Sequence, residues 1–84
     1  MYIGKFKNYP IFVSDKYPKK YYATVNDKKV HFGDIRYQHY YDKMGYYELL
    51  NHCDLKRRRS FQKRHGKSKD AKGTAGWFSY HILW

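Results

Sequence analysis

Two adjacent segments with strand composition constrain the fold of this chain more than any other feature. Tyr21–Val25 and Lys28–Phe32 are rich in β-branched and aromatic residues, and Asn26 and Asp27 between them tolerate the positive φ of a tight turn. The segment is therefore predicted to form a β-hairpin, with a loop of either two or four residues. Because side chains alternate along a strand, both loops place the same apolar residues on one face: Tyr21, Ala23, Val25, Val30 and Phe32. An isolated hairpin is marginally stable in water, so other elements must cover this face.

The clearest helix is predicted from Leu55 to His65. Asp54 precedes it as a candidate N-cap, and Gly66 follows as a terminator. Its sequence, LKRRRSFQKRH, contains only two large apolar residues, Leu55 and Phe61. We therefore expect a basic, mostly solvated helix that is held to the rest of the protein by one or two apolar contacts.

Two more groups of apolar residues upstream have helical spacing. The first comprises Tyr37, Tyr40 and Tyr41, which we expect to line the core. The second predicts a short helix between Asp42 and Cys53, with its apolar face formed by Tyr46, Leu49, Leu50 and Cys53. On that face Cys53 would be a buried, unreactive thiol.

The two ends of the chain show weaker patterns. Residues 1–18 are predicted to be an extended N-terminal arm, in which Ile11–Val13 is either an edge strand or a surface loop. Residues 66–73 have the composition of a flexible basic linker, and the aromatic segment Trp77–Trp84 is predicted to be a C-terminal strand. The expected fold class is α+β. A small basic domain over residues 19–84 would contain the hairpin, the C-terminal strand and one or two short helices.

Size and charge limit the possible functions. A chain of 84 residues allows one small domain, and its single cysteine excludes an internal disulfide framework. No secretory signal is visible, and no uncharged segment is long enough to span a bilayer. With 18 basic and 7 acidic residues, the formal charge is 18 − 7 = +11. We therefore expect an acidic partner, since such an excess of positive charge destabilises the compact state by self-repulsion.

The basic helix and linker are the main candidate binding site. Clustered Lys and Arg are typical of phosphate contact, and Arg also binds carboxylates in bidentate fashion. Nucleic acid and an acidic protein surface both fit this pattern, as does a face kept basic for solubility. No base-reading motif is present, so sequence-specific recognition is not expected. The candidate polyanion-binding residues are Arg57, Arg58, Arg59, Lys63, Arg64, Lys67, Lys69 and Lys72.

No pattern in the sequence predicts catalysis. The histidines and Cys53 lack the close pairing of structural zinc ligands, and the sequence has no phosphate-binding glycine loop or nucleophile motif. The chain is therefore expected to be non-enzymatic, with no metal, no cofactor and no small-molecule substrate.

Three segments of the chain resemble a family of short basic proteins of uncharacterised function. They are KKYYATVNDKKVHFGD, NHCDLKRRRSFQKRHG and GTAGWFSYHILW, and the family occurs in large double-stranded DNA viruses and phages. The resemblance covers residues 19–84 and includes no catalytic residues. It implies a viral setting, with the protein in the virion and, before assembly, in the reducing interior of the infected cell.

Two functions are consistent with these features. The first is a virion structural protein, a minor capsid or internal cement component that binds capsid or other virion proteins. Its basic helix would face acidic subunits or genomic DNA, and its interface anchors would be Tyr9, Phe12, Tyr17, Trp77, Phe78, Tyr80 and Trp84. The alternative is a sequence-tolerant nucleic-acid-binding protein in viral genome packaging or expression. Contact with about six phosphates of a duplex would then give a log–log salt slope near −5.

Overall fold

A four-stranded antiparallel sheet with its strands in chain order forms the framework of the protein, as described for residues 1–84 by the computed structural model. The strands are β1 (Tyr2–Phe6), β2 (Tyr9–Val13), β3 (Tyr21–Val25) and β4 (Lys28–Phe32). Val25 pairs with Lys28, so the β3–β4 loop has two residues. Asn26 and Asp27 in that loop have φ values of 50° and 65°. Paired positive φ values are typical of the tight turns whose twist matches that of the flanking strands.

The prediction of an extended N-terminal arm over residues 1–18 is wrong. This segment supplies β1 and β2, and β2 lies inside the sheet between β1 and β3. Ile11 pairs with Ala23, and neither side chain is exposed to solvent. A tight turn at Lys7 and Asn8, both with positive φ, joins the two strands. Half of the sheet therefore comes from the part of the chain in which the sequence signals were weakest.

The C-terminal segment is helical, so the prediction of a strand over residues 77–84 is also wrong. It consists of α2 (Ala75–Phe78) and a π-helix (Ser79–Leu83). The side-chain oxygen of Thr74 caps this segment by accepting a hydrogen bond from the Trp77 N–H at 3.2 Å. The helical path places four large side chains over the apolar face of the sheet, where they form the core with Ile11, Tyr21, Ala23 and Phe32: Trp77, Phe78, Ile82 and Leu83.

The predicted basic helix is present as α1 (Leu55–Arg64). The Asp54 side chain caps it by accepting hydrogen bonds from the N–H groups of Lys56 and Arg57. Gly66–Asp70 then forms a short 3-10 helix within residues 66–73, the segment predicted to be a flexible basic linker. None of the helices has the length and apolar composition needed to cross a membrane. The α+β class is confirmed, although residues 1–18 and 77–84 form different elements from those predicted.

The predicted helix between Asp42 and Cys53 is absent, and only Glu48–Leu50 forms a 3-10 turn. The Asp42 carboxylate accepts hydrogen bonds from nearby backbone N–H groups, which competes with helix formation. Residues 50–53 instead run beside residues 39–40, through backbone bonds such as His52 N to His39 O at 2.9 Å. As a result Leu49 is 94% exposed, and Cys53 is exposed rather than buried.

Candidate nucleic-acid interface

A surface groove of about 480 Å³ lies beside α1 and is lined by three cations and two aromatic rings. One wall comes from α1, whose pitch of about 3.6 residues places positions 57, 60 and 64 on the same side. The opposite wall comes from the loop after β4, and the C-terminal residue contributes a ring. The lining residues are Tyr37, Gln38, Lys56, Arg57, Ser60, Arg64 and Trp84.

The cations of this groove have no acidic partner in the chain. The two ion pairs of the structure join Lys29 to Asp15 and Arg36 to Asp34. No basic residue between positions 56 and 72 forms an ion pair, and Lys56, Arg57 and Arg64 are all exposed. Their combined charge is therefore available to an anion that lies along the groove.

The loop wall of the groove is held in place by local hydrogen bonds. The Arg36 guanidinium donates to both carboxylate oxygens of Asp34, at 3.0 and 2.7 Å, and these bonds lower the pKa of Asp34 to about 2. Gln38 accepts a hydrogen bond at 2.9 Å from the Arg57 guanidinium across the groove. Tyr37, between them, is 65% exposed. The wall thus presents an exposed aromatic ring, with the Arg36 guanidinium 5.7 Å from the ring centre and the Arg57 guanidinium oriented by Gln38.

Behind this wall lies a buried polar network formed by Lys20, Tyr21, His39 and Asp42, together with the half-buried Asn51. Lys20 Nζ donates to the Tyr37 carbonyl at 3.0 Å and lies 2.7 Å from His39 Nδ1. The Asn51 side-chain oxygen lies 2.6 Å from His39 Nε2. Since Lys20 donates to Nδ1, the His39 proton is assigned to Nε2, which donates to Asn51. Burial lowers the pKa of Lys20 to about 8 and also lowers that of His39.

Asp42 links the network to the sheet. Its carboxylate accepts hydrogen bonds from the N–H groups of Met44 and Tyr47, each at 2.9 Å, and from the Tyr21 hydroxyl. Asp42 is 2% exposed and Tyr21 is fully buried. The network therefore fixes the segment that carries the loop wall against β3, so that the groove keeps its shape.

The structure brings only part of the predicted basic cluster together. Arg57 and Arg64 line the groove, and they are joined there by Lys56, which the prediction of site residues did not include. Arg59 and Lys63 are exposed on α1 but do not line the groove.

Arg58 is half-buried and does not line the groove, so its role in binding phosphate stays a prediction. Its Nε donates to the Trp84 carbonyl at 2.9 Å, and its guanidinium lies 4.7 Å from the centre of the Tyr40 ring. The three remaining cations, Lys67, Lys69 and Lys72, are exposed after α1. Lys72 lies 6.0 Å from the Tyr9 ring, beside the sheet.

Two of the predicted interface anchors belong to the core of this chain. Trp77 and Phe78 are 5% and 0% exposed, so their predicted insertion into neighbouring subunits is wrong. Tyr9 packs edge-on against both, with ring centroids 5.8 and 5.1 Å away. Trp77 and Phe78 therefore belong to the core, whereas the half-buried Tyr9 packs at its edge.

The other predicted anchors lie in three different places. Phe12 is half-buried on the outer face of the sheet, where it stacks on Tyr22 at 4.8 Å. Trp84 stacks on Phe61 at 4.4 Å, and Tyr80 is half-buried near the same ring. Tyr17 is 75% exposed. Only Trp84 lines the groove.

Tyr37 lines the groove, although its helical spacing predicts a position in the core. It was expected to line the core with Tyr40 and Tyr41, but Tyr37 and Tyr41 are 65% and 53% exposed. No local pattern distinguishes Tyr37 from the half-buried Tyr40, because exposure here depends on where α1 packs.

The structure contains no group of three or more His, Cys, Asp or Glu side chains that could hold a metal ion. The site is therefore defined by cations and aromatic rings. No family model matches the chain, and neither a curated protein nor a solved structure shows significant similarity to it.

Proposed function

We propose that this protein binds nucleic acid through its phosphates, without reading base sequence. The observation that carries the proposal is the set of three unpaired cations, Lys56, Arg57 and Arg64, in one groove beside the exposed Tyr37 ring. Proteins that bind nucleic acid without sequence preference combine a positively charged groove with aromatic side chains on which bases stack. Exposed Lys and Arg supply the phosphate contacts, and Tyr37 supplies a stacking surface.

The number of groove cations sets the expected salt dependence. Each phosphate neutralised on a single strand contributes about −0.7 to the log–log slope of affinity against salt, so three contacts predict a slope of about −2. This is smaller than the slope expected for the whole basic cluster, because Arg58 is engaged within the fold and the other cations lie outside the groove.

The test is a fluorescence anisotropy titration of a labelled oligothymidylate at several salt concentrations. The double substitution Arg57→Gln with Arg64→Gln removes two of three groove contacts, so we expect the slope to fall to about −0.7. The matched control is Arg59→Gln with Lys63→Gln, which removes the same charge from the same helix outside the groove. We expect the control to keep most of the wild-type slope. Equal losses in both variants would show that net charge, and not the groove, drives binding.

A virion structural role is a second candidate function, and the exposed apolar side chains favour it. Leu49 and Tyr17 are 94% and 75% exposed, so both side chains are accessible to a protein partner. The resemblance to short basic viral proteins supports a viral setting for both functions. Mass spectrometry of purified particles tests the structural role, which predicts many copies per virion. Absence from particles while infected cells contain the protein would contradict it.

A further inference from the structure

A second cavity, of about 340 Å³, opens next to the cationic groove. Both are lined by Tyr37, Gln38 and Trp84, so the two spaces are neighbours that share one wall. The second cavity extends from these shared residues between the loop after β4, α1 and the C-terminal helical segment. A ligand lying in the groove is therefore adjacent to an additional space within the fold.

The lining of this cavity combines apolar and polar groups. Phe61 and Leu83 contribute apolar surface, and Ser68 and Ser79 contribute hydroxyls. A hydroxyl rotates to act as donor or acceptor. These serines can therefore form hydrogen bonds with either the donors or the acceptors of a ligand. Lys19, which is exposed, adds a further cation to the lining.

We propose that this cavity holds one unpaired base of a nucleic-acid strand whose phosphates lie in the groove, which makes single-stranded nucleic acid the preferred ligand. The inference rests on the function proposed above. Its volume is at the lower end of the range for ligand pockets, about 300 to 1,000 Å³, which suits one planar base. Tyr37 lies where groove and cavity meet and offers a stacking face to a base that turns inward.

Preference for a single strand follows from the position of the cavity. In a duplex each base is paired and stacked, so a base reaches a cavity beside the groove only after it is unpaired and turned out of the stack. A single strand supplies an unpaired base without that cost. The rotatable hydroxyls give little discrimination between bases, which agrees with sequence-tolerant binding.

The experiment compares three labelled ligands of equal length: an oligothymidylate, the same strand with abasic sugars throughout, and a duplex. For the wild-type protein we expect the abasic strand to bind about tenfold more weakly than the oligothymidylate, the loss typical of removing base stacking. The salt slopes of the two strands should be equal, because their phosphates are the same. The duplex should also bind more weakly than the oligothymidylate.

A cavity-filling variant separates this inference from the proposed function. Ser79→Leu adds apolar volume to the cavity without changing a groove cation. We expect it to bind the oligothymidylate more weakly than the wild-type protein does, by up to the roughly tenfold loss expected for the abasic strand. Thr24→Leu, on β3 and outside both cavities, is the matched control and should bind as the wild type does. If urea unfolding shows that Ser79→Leu is unfolded, Ser68→Leu replaces it. Ser68 lines the same cavity from the 3-10 helix Gly66–Asp70.

The outcomes are distinguishable. Equal affinity for the normal and abasic strands, or a folded cavity-filling variant with wild-type affinity, would overturn the base site and leave the phosphate groove intact. Absence of salt-dependent binding to any ligand would overturn the proposed function itself.

Discussion

Removal of the Tyr21 hydroxyl tests whether the buried polar network holds the loop wall of the groove on the sheet. Tyr21 is fully buried, and its hydroxyl donates to the carboxylate of Asp42, which is 2% exposed. Burial and the bond to Asp42 raise the pKa of Tyr21, so the hydroxyl keeps its proton and acts as donor. Tyr21→Phe deletes this bond and retains the ring, whose neighbours Phe32 and Tyr47 lie at centroid distances of 5.7 and 5.3 Å.

The expected cost follows from the partners that remain. Hydrogen bonds to charged groups contribute about 1.5–3 kcal/mol to stability. Asp42 keeps the backbone donors of Met44 and Tyr47, so we expect a loss near the middle of that range, about 2 kcal/mol. For 84 residues, an unfolding entropy of about 2.1 cal/mol/K per residue gives about 180 cal/mol/K, so Tm should fall by about 11 °C.

The assay is urea denaturation followed by circular dichroism, together with a thermal scan. Tyr22→Phe is the matched control, because Tyr22 is the next residue in β3 but lies on the outer face, where its ring stacks on Phe12. We expect that control to change the unfolding free energy by less than about 0.5 kcal/mol. A Tyr21→Phe protein as stable as the Tyr22→Phe protein would refute the argument that the network stabilises the fold.

Three further predictions concern single residues. Burial and the nearby Lys20 lower the pKa of His39 below its ordinary value of 6.5, so the unfolded state takes up the proton first as pH falls. The unfolding free energy should therefore decrease below about pH 6.5, and less steeply in His39→Gln; parallel urea-derived pH profiles would contradict this. Gly33→Ala should lower Tm by several degrees, because φ is +75° and the added Cβ would lie 3.0 Å from Leu83 and Lys20 atoms. Gly66→Ala, with no neighbour within 4 Å, is its calorimetric control and should not lower Tm. Asp54→Ala removes the cap of α1 and should cost about 1 kcal/mol in urea unfolding; unchanged stability would show that the cap contributes nothing.

Part of the candidate site was predictable from local sequence. The cap at Asp54 and the pitch of the following helix identify α1, and Arg57 and Arg64 on it line the groove. Arg58, between them, has the same chemistry in sequence but is engaged by Trp84 and Tyr40. The side of α1 that packs against the rest of the protein decides which arginine lines the groove. That packing involves residues distant in sequence, so the helix sequence alone does not specify it.

The sequence by itself determined the elements that local physics controls. The β3–β4 hairpin follows from strand formers on both sides of Asn26-Asp27, and α1 follows from its cap and composition. Only the tertiary structure decided that residues 1–13 complete the sheet, that Trp77–Leu83 covers it as a helix, and that Tyr37 faces solvent. Those outcomes depend on which apolar surfaces bury one another, and burial joins residues distant in sequence, beyond the reach of any local pattern.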